Sequence, residues 1–219
     1  MNTSQKECKK NLPNVTFDES LAKYSTFKIG GNADIFYKLA ETIELPSILK
    51  FCSAKKIPYF IFSGGSNILF DDKGFRGIVI KIATRKIAVI ENKIIAEAGV
   101  LISELVAASF KHGLTGLEKW AALPGTVGGA VRGNAGCNGL ETKNILVNAT
   151  IFDAETGKIQ TVSNKYFKFK YRSSSIKDTS RIILDATFKL KIRKILEKKQ
   201  KEIIEQYKKA RKEKQPTGF

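Results

Sequence analysis

The sequence predicts an α+β protein, with one main domain of many short strands and a few helices, followed by a basic C-terminal helix. Short runs of alternating apolar and polar residues recur along the chain, and a few longer stretches carry apolar residues at helical spacing. The composition is globular, with 42% hydrophobic and 10% aromatic residues. A length of 219 residues suffices for one large domain or two small ones.

The N-terminal third predicts an arm, then strands and one helix. Residues 1–23 are polar and are expected to form a loose arm. The segment "YSTFKIGGNADIFYKLA" predicts a strand, a turn at its Gly-Gly pair and a second strand. The segment "TIELPSILKFCSAKKI" predicts an amphipathic helix despite Pro46, and "PYFIFSGGSNILF" predicts a buried strand that runs into a glycine turn.

The middle of the chain predicts three short strands and a helix. The strands are "GIVIKI", "KIAVIEN" and "KIIAEAG", with a hairpin turn at Glu91-Asn92 between the last two. The segment "LISELVAASFKHG" has apolar residues along one helical face and ends in a glycine, which is a typical helix C-terminus.

The last third predicts a hairpin, two strands and the basic helix. "NILVNATIFDAETGKIQTV" predicts a β-hairpin that turns at residues 155–157, and "KYFKFKYR" and "RIILDATFKLKI" predict two more strands. Residues 193–214 are rich in Lys and Glu with periodic apolar positions, which predicts a basic amphipathic helix. The closing "QPTGF" has the Pro and Gly of a linker.

Composition narrows the function classes. The sequence has no run of about 18 apolar residues and its N-terminus lacks the apolar core of a signal peptide, so we expect a cytoplasmic protein with no membrane partner. Three cysteines without CxxC spacing indicate free thiols. His112 is the single histidine, which argues against a histidine metal site, and no metal is expected. The net charge is +17, but only seven of 38 basic residues are Arg, which disfavours a nucleic-acid partner.

Two glycine-rich loops suggest an anionic ligand. "FSGGSN", Phe62 to Asn67, follows a predicted strand, and "PGTVGGA", Pro124 to Ala130, is expected to open a helix. Consecutive glycines let backbone N–H groups converge on an anion, and helix N-terminal N–H groups favour phosphate. Two such loops in one domain predict a ligand with a pyrophosphate. Neither loop matches the Walker pattern or the GxGxxG of a βαβ unit, which argues against a P-loop NTPase or a Rossmann domain.

Four segments in order carry a family resemblance: "TFKIGGNA", "FSGGSNILF", "GLTGLEKWAALPGTVGGAVRGNAGCNGLE" and "FKYRSSSIK". Together, from about Tyr24 to the end, the chain resembles the UDP-N-acetylenolpyruvoylglucosamine reductase family. The resemblance implies an FAD-binding PCMH-type (vanillyl-alcohol-oxidase-like) module of two α+β subdomains with the flavin between them. The implied organisation is an N-terminal arm and first strand over 1–26, the FAD-binding domain over 27–193, and a helix and linker over 194–219.

The resemblance also implies the cofactor contacts. The first loop would hold the pyrophosphate, and the second loop with the following Asn-Ala-Gly would line the rest of FAD. The expected cofactor-binding residues are Ser63, Gly64, Gly65, Ser66, Asn67, Pro124, Gly125, Thr126, Gly128, Gly129, Asn134 and Gly136. Relatives in the wider fold tether flavin through a His. Since His112 lies at a predicted helix end and not in the first loop, non-covalent FAD is expected.

The family's reaction implies a role for one arginine. NADPH gives a hydride to FAD, and the enolpyruvyl double bond of a UDP-sugar then receives it. Negative charge develops on the α-carbon and its carboxylate, where a fixed cation lowers the barrier. Arg172 in "KYRSS" matches the family's catalytic arginine, and Tyr171 beside it is expected to shape the substrate pocket. Glu118 and Glu141 are expected to fix structure and not to act as bases, and Trp120 is expected in the core.

The family's proton donor is a Ser just after the Gln-Pro linker, and a Glu near the C-terminus completes the site. This sequence ends at Phe219, so both residues and a third, substrate-covering domain are expected to be missing or to come from a separate chain. FAD binding is therefore expected without full turnover. Two alternatives remain open: another flavin oxidoreductase of the same fold, and a basic nucleic-acid-binding domain.

Overall fold

The computed structural model describes residues 1, 3–12, 14–193 and 197–214. The chain divides into two compact units, Met1–Thr84 and Arg85–Phe219. The helix and strand found in the first 26 residues therefore belong to the first unit. Across the described residues, no helix is both long enough and apolar enough to cross a bilayer.

The first unit is a four-stranded mixed sheet with two helices. Its elements are α1 (Thr3–Asn11), β1 (Val15–Ser20), β2 (Asn32–Leu39), α2 (Leu45–Ala54), β3 (Tyr59–Phe62) and β4 (Phe75–Ile82). The strand order is β1-β2-β4-β3, in which β1 and β2 are antiparallel and β4 runs parallel to both of its neighbours. The inner parallel strand β4 is a nearly continuous apolar run, as burial on both faces requires.

The second unit is built around a five-stranded antiparallel sheet. Its elements are β5 (Ile87–Ile90), β6 (Lys93–Glu97), α3 (Ile102–Lys111), β7 (Leu114–Thr115), α4 (Val127–Arg132), β8 (Gly136–Cys137), β9 (Leu140–Glu141), α5 (Thr142–Ile145), β10 (Leu146–Asp153), β11 (Ile159–Ser163), β12 (Arg181–Lys189), β13 (Lys191–Ile192) and α6 (Glu197–Lys214). The strand order of the sheet is β11-β10-β12-β6-β5. Two short strand pairs, β7 with β13 and β8 with β9, lie outside that sheet.

Several predicted elements are confirmed. The helix at "TIELPSILK" is α2, and it carries its Pro in the first turn, where a missing N–H costs nothing. The hairpins at residues 90–93 and 153–159 form with the predicted turns, and Gly157 supplies a positive φ of 70°. The predicted basic helix is present as α6, while residues 194–196 and the predicted linker 215–219 lie outside the described residues. Trp120 is fully buried and stacks edge-on against Phe188.

The loose arm expected over residues 1–23 was wrong. Residues 3–11 form α1, where Gln5 and Cys8 are buried and the Gln5 side-chain amide donates to the carbonyl of Asp34. Residues 15–20 form β1, which pairs with β2. A buried stripe of two residues is too narrow to stand out as a helical pattern in a polar sequence.

Two predicted strands do not form. The residues before the Gly-Gly pair turn at Lys28, which has a φ of 59°, and the first strand of "YSTFKIGG" is absent. The run "KYFKFKYR" forms a 3-10 turn at Asn164–Phe167 followed by a tight turn at 170–173. Its alternating aromatics stack on each other, with 5.2 Å between the ring centres of Phe167 and Phe169, instead of lining a sheet face.

The predicted burial of β3 was also wrong in part. β3 pairs only with β4 and is therefore an edge strand. Tyr59 and Phe60 are exposed, while Phe62 at the end of the strand is buried and stacks edge-on against Phe70. The apolar run therefore belongs to an edge strand, only part of which is shielded from solvent.

The thiols of Cys8 in α1 and Cys52 in α2 are fully buried. Burial, with a smaller contribution from the neighbouring Cys8, raises the pKa of Cys52 to about 12. Burial also raises the pKa of Cys8. Unfolding would return both thiols to ordinary pKa values near 8.5, so folding holds them neutral in alkali.

We predict that the free energy of unfolding declines as the pH rises from about 9 towards 12, because the unfolded chain loses these thiol protons first. Each thiol adds a slope of up to about 1.4 kcal/mol per pH unit. Urea unfolding at several pH values measures it, and Cys52→Ala should flatten the slope. Cys137→Ala, which leaves Cys52 intact, should keep it. Equal slopes in Cys52→Ala and the parent chain would contradict the prediction.

Candidate functional site

The first glycine loop, Ser63 to Asn67, follows β3 in the first unit. The Ser63 hydroxyl donates to the carbonyl of Ile82 at 2.9 Å. Gly65 has a φ of 66°, and a Cβ on it would overlap the carbonyl oxygen of Tyr24. Its own carbonyl accepts from the Thr26 N–H at 3.2 Å. Gly65 is therefore required by the chain's own packing, whereas Gly64 and Asn67 are exposed and available to a ligand.

The second glycine loop lies in the second unit and does open a helix, α4, as predicted. The N–H groups of Val127 and Gly128 donate at 2.9 Å to the carbonyls of Val100 and Ala98. A Cβ on Gly128 would lie 2.9 Å from the Cβ of Ala98, so this glycine permits the helix to dock. Two N–H groups that we expected to face a phosphate are thus committed to the chain's own backbone.

Thr126 precedes α4, and its side-chain hydroxyl has no hydrogen-bond partner in the described part of the chain. The residue is 3% exposed, and its hydroxyl oxygen is the one buried side-chain N or O atom without a hydrogen-bond partner among the described residues. A Cβ on Gly129, which is exposed, would meet this hydroxyl at 3.7 Å and nothing closer. An unpaired buried hydroxyl costs about 1–3 kcal/mol, which a ligand's polar atom would offset. The predicted cofactor contacts at Thr126 and Gly129 therefore fit a ligand.

Asn134 is buried, and its side chain joins three segments. Its amide nitrogen donates at 3.0 Å both to the Glu141 carboxylate and to the carbonyl of Lys170, and its amide oxygen accepts from the Lys143 N–H at 3.1 Å. The ion pair with Lys143 at 2.7 Å and the bond from Asn134 lower the pKa of Glu141. A Cβ on Gly136 would lie 3.1 Å from the Glu141 side chain, so this corner is tightly packed.

Tyr171 and Arg172 form the tip of a tight turn. The N–H of Lys170 donates to the carbonyl of Ser173 at 3.0 Å, and the N–H of Ser173 donates back at 3.2 Å. Arg172 has a φ of 51°, a conformation that a non-glycine residue rarely adopts and that functional sites often retain. Tyr171 is 85% exposed, and in the described part of the chain the Arg172 guanidinium has no hydrogen-bond or ion-pair partner.

The carboxylate of Glu118, another candidate, holds a loop in place. The Glu118 carboxylate accepts from the Thr115 hydroxyl at 3.1 Å and from the Gly116 N–H at 2.5 Å. These contacts support the expectation that neighbouring carboxylates hold loops rather than act on a ligand.

Three hydrogen bonds at the end of α4 were not predicted from the sequence. The Ser174 hydroxyl donates to the carbonyl of Arg132 at 2.6 Å, and the Arg132 guanidinium donates to the carbonyls of Ile176 and Lys177. Burial lowers the pKa of Arg132. No local sequence pattern relates residues more than 40 positions apart. The run of serines after Arg172 was the one sequence feature that could have pointed to these contacts.

Comparison with known proteins identifies relatives over most of the chain. The profile of a family described as "FAD binding domain" matches residues 33–163. The UDP-N-acetylenolpyruvoylglucosamine reductase of Caldanaerobacter subterraneus subsp. tengcongensis is 36% identical over 92% of this chain and 66% of that protein. The protein of the same name from Clostridium kluyveri is 35% identical over 95% of this chain and 68% of its own length.

Solved structures agree with the sequence relatives. The UDP-N-acetylenolpyruvylglucosamine reductase of Thermus caldophilus superimposes with a TM-score of 0.72 at 28% identity, over 91% of this chain and 69% of that one. An alkyldihydroxyacetonephosphate synthase reaches a TM-score of 0.66 at 15% identity over 87% of this chain and 41% of that one, a likeness of fold alone. The predicted α+β fold of the FAD-binding PCMH type is confirmed. The chain spans between 55% and 68% of the lengths of the first four curated relatives.

We predict that Gly65→Ala destabilises the protein by about 2 kcal/mol more than Gly157→Ala. Both glycines have nearly the same φ, 66° and 70°, but a Cβ on Gly157 meets nothing within 4 Å. The control therefore isolates the overlap with Tyr24 from the cost of the backbone conformation. Urea unfolding of both variants measures the difference, and equal losses would show that Gly65 is needed for its φ alone.

We predict that Arg172→Gly raises the free energy of unfolding by about 0.5–1 kcal/mol, because glycine adopts the positive φ without strain. Arg172→Ala, which keeps a Cβ, should show no such gain. Thermal and urea unfolding test this pair. Equal stabilities in the two variants would show that the turn stores no strain at this residue.

Proposed function

Because the chain belongs to the UDP-N-acetylenolpyruvoylglucosamine reductase family, we propose that it carries FAD and serves the NADPH-dependent reduction of UDP-N-acetylglucosamine enolpyruvate to UDP-N-acetylmuramate. This reaction supplies a peptidoglycan precursor. The chain spans only part of the length of its relatives, and its residues include the FAD-binding module and the arginine turn. The cysteines at positions 8, 52 and 137 are thiols, which fits a reducing cytoplasm as the location.

The single observation that carries the FAD assignment is the unpaired hydroxyl of Thr126, buried beside the open face of Gly129. It lies in the segment that the FAD binding domain profile covers. In the first unit, Gly64, Ser66 and Asn67 would contribute further contacts, since Gly64 and Asn67 are exposed and Ser66 is half-buried. Ser63 and Gly65 would support that loop, because their side chain and backbone already bond within the unit.

The position of the single histidine supports the proposal of non-covalent binding. His112 ends α3, and its ring nitrogen Nδ1 lies 2.9 Å from the carbonyl of Ala108 in the preceding turn. It is absent from both glycine loops. The flavin would therefore be held by hydrogen bonds and packing rather than by a histidine tether.

FAD, when bound, supplies a carrier that accepts a hydride from NADPH and delivers it to the enolpyruvyl double bond. The chain's contribution to that step is Arg172, whose guanidinium stands at the tip of an exposed turn without an internal partner in the described residues. A fixed cation there would stabilise the negative charge that grows on the α-carbon and carboxylate of the substrate. Tyr171 beside it would contact the UDP-sugar.

The visible spectrum of the FAD-loaded chain tests the function. Under anaerobic conditions, NADPH should bleach the flavin absorbance, and the enolpyruvyl UDP-sugar should restore it if the chain supports the full reaction. Bleaching without recovery would limit the chain to the cofactor module. A purified protein that takes up no FAD would overturn the proposal.

We predict that Thr126→Val weakens FAD binding about tenfold, the loss of one hydrogen bond, without destabilising the FAD-free chain. Valine preserves the shape and removes the unpaired oxygen. Thr142→Val is the matched control, because the Thr142 hydroxyl donates to the carbonyls of Ala130 and Ala135 and its loss should destabilise the chain. FAD titration and urea unfolding give the two readouts. Unchanged FAD affinity in Thr126→Val would remove this residue from the site.

A further inference from the structure

We propose that Asn134 is the positioning residue for Arg172, because its side chain anchors the turn that presents the guanidinium. The inference rests on the proposed function for the catalytic role of Arg172, but the anchoring itself is a property of the chain alone. It assigns a task to the segment after α4 beyond lining a cofactor.

The Asn134 side chain holds the turn at its first residue, Lys170. The carbonyl of Lys170 accepts the N–H of Ser173 at 3.2 Å, which closes the turn, and it also accepts the side-chain amide of Asn134 at 3.0 Å. Asn134 is 2% exposed, and its bonds to Glu141 and Lys143 set the direction of the amide. Both the nitrogen and the oxygen of this buried side-chain amide are hydrogen-bonded, so the side chain cannot rotate away without breaking several hydrogen bonds.

A second anchor holds the other side of the turn from the same segment. The Ser174 hydroxyl, in a residue 6% exposed, donates to the carbonyl of Arg132 at 2.6 Å. The guanidinium of Arg132 donates to the carbonyls of Ile176 and Lys177. Residues 132–134 therefore bind the chain on both sides of Tyr171 and Arg172.

The conformation of Arg172 explains why such anchors are needed. A non-glycine residue at a φ of 51° would relax to another conformation if the surrounding structure did not determine it. Loss of the hydrogen bond from Asn134 leaves the Ser173 N–H as the one partner of the Lys170 carbonyl among the described residues. The first residue of the turn is then free to move. The guanidinium would then sample several directions, and a cation that must meet developing charge loses effect when it is mobile.

The chain offers a matched pair of variants. Asn134 and Asn138 both have a positive φ, 44° and 50°, and both donate their side-chain amide to a distant backbone carbonyl. Asn138 donates to Lys119 at 2.9 Å and has no bond to the turn. Glycine at either position keeps the backbone conformation, so Asn134→Gly and Asn138→Gly remove only the side-chain bonds.

Hydrogen exchange of the Lys170 and Ser173 amides in the full FAD-free chain tests the anchoring. In Asn134→Gly these amides should exchange about tenfold faster, while amides of β12 keep their rates; in Asn138→Gly the turn amides should keep theirs. Wild-type exchange rates in Asn134→Gly would overturn the proposal. Equal acceleration in both variants would also overturn it, since that would reflect general loosening. If Asn134→Gly does not fold, Asn134→Asp, which removes both donors and keeps the acceptor, is read in the same way.

A double-variant cycle tests the consequence for the reaction. In the FAD-loaded chain, Asn134→Gly should slow flavin re-oxidation by the enolpyruvyl UDP-sugar about tenfold with little change in the half-saturating substrate concentration. In an Arg172→Ala background it should have no further effect, because Asn134 acts through the arginine. Additive losses would overturn the positioning role. A wild-type chain that never re-oxidises its flavin would limit the chain to the cofactor module and would overturn the catalytic part of this proposal, whereas the exchange experiment would still decide the anchoring.

Discussion

The docking of α4 on the segment after β6 is the interaction on which the second unit's candidate site depends. The N–H groups of Val127 and Gly128 bond to the carbonyls of Val100 and Ala98, and only a glycine at 128 allows that approach. This contact sets the start of the helix, and with it the buried Thr126 hydroxyl. It also sets the end of the helix, where Asn134 meets the turn of Arg172.

The many glycines of the chain have two different uses. Gly65 and Gly128 lack a side chain because another part of the chain occupies that space, Tyr24 in one case and Ala98 in the other. Gly129 faces open space beside an unpaired hydroxyl. A glycine-rich motif is thus first a means of bringing the chain against itself, and the ligand contacts follow at the positions that remain open.

The charged side chains around the candidate site fall into two groups, those with partners within the chain and, among the described residues, one without. The carboxylates of Glu118 and Glu141 are committed to holding loops, and Arg132 is committed to backbone carbonyls. Arg172 differs from these groups because its exposed guanidinium has no partner in the described residues. In a chain of net charge +17, such a guanidinium suits an anionic substrate, and its fixed turn matters more than the overall charge.

Local periodicity and short motifs are enough to predict the family, the two glycine loops, most strands and the helices α2, α3, α4 and α6. What these motifs contact depends on the folded chain. The helix α1 buries only two residues, so its sequence shows no helical pattern. The alternating aromatics before Arg172 predict a strand, but in the fold they pack on each other. Gly65 meets Tyr24, Gly128 meets Ala98 and Asn134 bonds to Lys170, each over 30 or more residues of sequence. A hydrogen bond or close approach over that separation exists only once the chain has folded.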